Sequence, residues 1–77
     1  MSKPLIINLP VSARFGLLAS RSGLRLPLVV RHTPDGFVIG TERGNLLYSR
    51  ESEEVFQSEN IAARALSTGE WTQRHPE

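Results

Sequence analysis

The residues of this chain that could do chemistry are a His-Asp pair, three close glutamates, three evenly spaced glycines and four arginines. His32 and Asp35 have the residue types of an oriented base. Local sequence supplies no nucleophile beside them, and Asp35 already belongs to a Pro-Asp-Gly turn, so no catalytic residue is expected. Glu51, Glu53 and Glu54 could offer oxygen ligands to a hard cation. The run lacks the alternate acids and internal glycine of a calcium loop, so it reads as a solvated acidic connector. Gly36, Gly40 and Gly44 span two hairpins and do not open a helix, which excludes a phosphate loop. Arg25 and Arg31 fall on the outward face of one strand. Arg43 sits at a hairpin tip, and Arg50 follows the next strand. Together they could contact phosphates in a salt-dependent way. The plainer reading of the same four charges, and the favoured one, is that they solubilise an outer sheet face and discourage edge pairing.

Composition narrows the classes. With 77 residues the chain has room for one domain, residues 1–77. A core of this size rarely supplies more than about 3–5 kcal/mol. Cysteine is absent, so no disulfide reinforces it. His32 and His75 are the only imidazoles, which speaks against a zinc site, and no cofactor is expected. Association with a second chain is the remaining reinforcement, so a homodimer or another protein partner is expected. No stretch has the ~20 apolar residues of a membrane span. The run Leu5-Ile6-Ile7-Asn8-Leu9 is too short for a signal peptide core. Both features and the lack of cysteine fit a cytoplasmic protein. Charge is split along the chain. Residues 1–50 carry seven basic residues against two acidic, and residues 51–77 carry two against six. That split could mark a polyanion site or an attraction between the two parts. Arginine outnumbers lysine eight to one.

The elements that must position these groups follow from periodicity. Residues 4–9 read as a short strand between Pro4 and Pro10. Residues 11–19 mix helical and alternating spacing and read as a short helix or irregular turn. Residues 1–23 as a whole are poorly assigned and are a candidate for dimer formation or partial mobility. Residues 24–31 alternate, with Leu24, Leu26, Leu28 and Val30 inward, as in a half-buried strand. Thr33-Pro34-Asp35-Gly36 turns into Phe37-Val38-Ile39-Gly40, and Glu42-Arg43-Gly44-Asn45 turns into Leu46-Leu47-Tyr48. Ser58 and Glu59 open a helix over roughly 59–68, with Ile61, Ala62, Ala65 and Leu66 as its apolar stripe and Gly69 as its stop. Trp71 either closes the core or offers a stacking platform for bases. Residues 72–77 are expected to fray.

Phe37-Val38-Ile39, Leu46-Leu47-Tyr48 and Val55-Phe56 lead into Ala62-Ala63-Arg64-Ala65-Leu66. This layout resembles three-stranded-sheet-plus-helix DNA-binding modules: the arm-binding domains of phage-type tyrosine recombinases and the plant ethylene-response domain. The resemblance implies a sheet face that enters the major groove, although the alternating basic or aromatic residues of those sheets are missing here. Residues 49–56 and 66–74 are similar to short uncharacterised proteins of bacterial plasmids and integrative elements, which implies no activity.

The expected fold is α+β, a three- to four-stranded antiparallel meander packed against one C-terminal helix. The expected role is a non-enzymatic, self-associating protein-interaction module with no small-molecule substrate. The alternative is a nucleic-acid-binding accessory protein of a mobile element that uses Arg25, Arg31, Arg43 and Arg50.

Overall fold

Two glycine-bearing turns set the sheet. Thr33 Oγ1 accepts from the Asp35 amide (3.2 Å) and donates to the Gly36 carbonyl (3.0 Å), which folds the chain back on itself. Gly44 takes a φ of 66° in the next turn, a region that favours glycine. The computed structural model describes residues 14–75. The expected strand 4–9 and the first part of the 11–19 segment lie outside them.

The elements are α1 (Leu17–Ser20), β1 (Val29–Thr33), β2 (Gly36–Arg43), β3 (Leu46–Arg50) and α2 (Glu59–Thr68). The three strands form one antiparallel sheet in the order β1-β2-β3, and α2 packs on it, so the fold is the expected α+β meander with a C-terminal helix. Val30 pairs with Ile39, and Arg31 with Val38. On the other side of β2, Gly40 pairs with Arg50 and Thr41 with Ser49, after which the register shifts and Glu42 meets Leu47. Tyr48 is therefore the extra residue of a bulge.

The first strand starts later than its alternation implies. Leu28 N–H donates to the Arg14 carbonyl and Gly16 N–H to the Leu26 carbonyl, both at 2.9 Å. The backbone of Leu26 and Leu28 thus pairs with a short arm, residues 14–16. Alternation turns Pro27 toward β2, where it has no N–H to give. The ladder with β2 accordingly begins at Val29.

Helix α2 matches its sequence signals. Ser58 accepts from the Ile61 amide (3.2 Å), Glu59 stands in the first turn, and Gly69 ends the helix at φ 82°. Ala62, Ala65 and Leu66 are buried, whereas Ile61, expected in the same stripe, is half exposed. The core joins Leu28, Ile39, Ala65 and Leu66, with Val30, Phe56 and Trp71 packed around them. Trp71 thus closes the core.

Two further expectations are corrected. Residues 51–56 do not leave the sheet as a solvated connector. Glu51 and Ser52 both donate their amides to the Ile39 carbonyl at 2.9 Å, and Phe37 and Phe56 exchange backbone bonds of 2.8 and 2.7 Å. Nor does the start of the tail fray. Glu53 N–H donates to the Thr72 carbonyl (2.8 Å) and Arg74 N–H to the Glu51 carbonyl (2.7 Å), so residues 72–74 lie as a strap along residues 51–53.

Gly40 is the tightest point of the sheet, since a Cβ there would stand 2.3 Å from the Ser49 carbonyl oxygen. The Gly40→Ala variant is expected to lose about 1–3 kcal/mol in urea unfolding, and an unchanged midpoint would show that the two strands have room to part.

Candidate functional site

The most unusual group in the molecule is a carboxylate at full burial. Glu51, Thr41 and Ser52 are polar side chains with no exposed surface. Ser49 and Glu51 continue the alternation that puts Thr41 on the α2 side of the sheet. Arm and helix α1 cover that end. Gly16 allows the approach, because a Cβ there would lie 2.4 Å from Thr41 Cγ2 and 2.6 Å from Glu51 Oε2.

Each carboxylate oxygen has two donors. Oε1 accepts from Leu18 N–H (3.0 Å) and Gln73 Nε2 (2.7 Å). Oε2 accepts from Ala19 N–H (3.1 Å) and Ser49 Oγ (2.6 Å). Since the Ser49 proton goes to Glu51, Thr41 Oγ1 donates to Ser49 Oγ, which makes a chain of polarised bonds. Gly16, the residue before α1, has no side chain to cap it, and Glu51 satisfies two of the first amides of that helix from across the sheet.

Burial is the largest single influence on this carboxyl, and it opposes ionisation. The Leu18 amide, Ser49 hydroxyl, Gln73 amide and Ala19 amide together outweigh it and hold the group below the ordinary 4.5. Such a group is a weak base with its lone pairs occupied. It is built to stay charged and bound. Glu54 is also held low: desolvation is the largest single influence and opposes this, but hydrogen bonds from the Thr72 amide, at 2.9 and 3.0 Å from its two oxygens, from the Thr72 side chain and from its own backbone together outweigh it.

The four arginines singled out from sequence are dispersed. Arg25 lies with its guanidinium 4.6 Å from the Phe15 ring centroid, a cation–π contact. Arg31 pairs with Glu42 and donates to the Asn45 carbonyl (3.1 Å). Arg50 donates to the carbonyls of Ser52 (3.0 Å) and Glu53 (2.6 Å). Arg43 is exposed and makes no side-chain hydrogen bond or ion pair among the described residues. Register places Arg31 and Arg50 on the face away from α2, flanking β2, whereas alternation along β2 places Arg43 on the opposite face. The register therefore brings Arg31 and Arg50 onto one face and Arg43 onto the other.

His32 stacks on Phe37 (4.4 Å between centroids, 17° between planes), and among the described residues its side chain makes no hydrogen bond to Asp35 or to any hydroxyl. Among the described residues no three His, Asp or Glu side chains are grouped to hold a metal ion. No helix among them is long and apolar enough to cross a membrane. No protein family, curated protein or solved structure matches the chain.

The sequence placed Glu51 in a solvated acidic run, and its burial went unrecognised. Its signal was the period-two run Ser49, Glu51 after the third strand. Its partners Leu18, Ala19 and Gln73 are remote in sequence and carried no signal.

Because the folded chain holds Glu51 below its unfolded value, the unfolded state binds more protons in acid, and stability rises with pH there. The contribution is complete well above the ordinary 4.5 and fades as pH falls through that value and the lower folded one. The Glu51→Ala variant is expected to lose about 3 kcal/mol at pH 7, since four donors lose their acceptor, and its acid limb in urea unfolding should flatten. A variant as stable as the unmodified chain would contradict this.

Proposed function

We propose that this chain is a non-enzymatic protein-interaction module that self-associates through β3. The observation that carries the reading is a run of apolar side chains on an outer strand. Leu46 is 74% exposed, Leu47 37% and Tyr48 38%. Outer strands are normally blunted by charge, proline or a covering element. Residues 46–49 have no charge or proline, and among the described residues the strap pairs only with the continuation of the strand, residues 51–53. Pairing of such an edge with a second copy would bury its apolar side chains and satisfy its backbone. The small core is a reason to associate, because a chain of this size gains proportionally more from added contact area. A cytoplasmic location accords with the lack of cysteine.

A second reading is a nucleic-acid-binding accessory protein of a bacterial mobile element. It is supported by Arg31 and Arg50, which flank β2 on one face, and by the exposed Arg43. Against it, Arg25, Arg31 and Arg50 already engage groups of their own chain, so phosphate contacts would have to replace those bonds.

Analytical ultracentrifugation separates the two. The unmodified chain is expected to form dimers at tens of micromolar, and Leu46→Asp to remain monomeric with unchanged circular dichroism. A monomer at high micromolar concentration would end the self-association reading. A low-salt electrophoretic shift at about 10 µM protein, abolished by Arg31→Glu with Arg50→Glu, would favour the second, since even non-specific binders reach 10⁻⁴–10⁻⁶ M.

A further inference from the structure

Two segments at opposite ends of the described chain meet at one side chain. Glu51 Oε1 is shared between the Leu18 amide of α1 and the Gln73 side chain of the strap. The strap is otherwise held by polar contacts: Thr72 N–H to the Glu54 carboxylate, Arg74 N–H to the Glu51 carbonyl and Arg74 Nη1 to the Arg50 carbonyl (3.3 Å). Gln73 also donates to the Glu51 carbonyl (3.2 Å), so it grips the same residue twice. Helix α1 has one turn, no basic residue in its last turn and no side-chain cap of its own, so it leans on the same carboxylate.

We propose that Glu51 couples the C-terminal strap to α1, so that residues 72–74 and α1 loosen and close as one unit. The physical route is short. When the strap lifts, Oε1 loses a donor, and water that enters beside it competes for the carboxylate with the Leu18 and Ala19 amides. When α1 lifts, the carboxylate is uncovered and its grip on Gln73 weakens in the same way. Linkage of this kind acts equally in both directions. Any event at the strap is then felt at α1 and the arm before it, where Leu17 and Phe15 are already 41% and 42% exposed and would uncover further.

Native-state hydrogen exchange on the full chain tests this, with the Phe37 amide, bonded to Phe56 in the sheet, as the reporter of global opening. Gln73→Ala is expected to speed exchange at Leu18 and Ala19 about tenfold, as loss of one charge-assisted bond would, and Phe37 much less. Thr72→Pro, which removes the donor to Glu54 without touching Glu51, should do the same at smaller amplitude. Gly16→Ala, which crowds the α1 side, should speed exchange at Arg74. The proposal is overturned if Leu18 and Ala19 keep their rates in Gln73→Ala, or if they rise only by the factor seen at Phe37.

Discussion

A single ionised carboxylate, fully buried and with no cationic partner among the described residues, holds three parts of this chain together. Removing a charge from water is costly unless donors replace the solvent. Glu51 meets that condition with two backbone amides, a hydroxyl and a side-chain amide, all within 3.1 Å. Each donor comes from a short or irregular segment. Helix α1 is one turn long, the strap is three residues, and Ser49 lies beside a bulge. The carboxylate thus substitutes for the apolar contacts that a longer chain would use.

The apolar side of the structure is correspondingly modest. Four buried side chains, Leu28, Ile39, Ala65 and Leu66, form the core cluster, and two alanines of α2 let the helix sit close to the sheet. Arg14 links this cluster to the polar end. Its guanidinium donates to the Leu66 carbonyl (3.2 Å), one of the last carbonyls of α2, where positive charge is favourable. Fold and polar network are therefore continuous: the arm that brings Gly16 over Thr41 is the same arm that Arg14 ties to the helix. With a total stability of about 3–5 kcal/mol expected for a core this small, a network of about 3 kcal/mol decides whether the chain folds.

What the sequence revealed follows the range over which each signal acts. Turns and caps are set by neighbours, and Thr33–Gly36, Gly44, Ser58 and Gly69 all took the roles their residue types imply. The alternation of residues 24–31 was legible in burial, but Pro27 moved the start of the ladder, because its effect depends on which edge it faces. Glu51 was illegible as a buried group because glutamates beside it, Glu53 and Glu54, gave the segment the look of a solvated run. The strap was illegible for a similar reason, since Thr72, Gln73 and Arg74 carry no apolar signal and are held by hydrogen bonds alone. The arginines were visible as charges, yet their engagement with Phe15, Glu42 and backbone carbonyls depends on contacts that only the fold creates.

The most direct test of this account is a carbon-detected NMR titration that follows the Glu51 side-chain carboxyl from neutral to strongly acidic pH. The network described here requires its inflection to fall below 4.5, with the Leu18 and Ala19 amide signals moving in step. An inflection at or above that value would mean that burial outweighs the donors, and that this carboxylate does not hold the fold together.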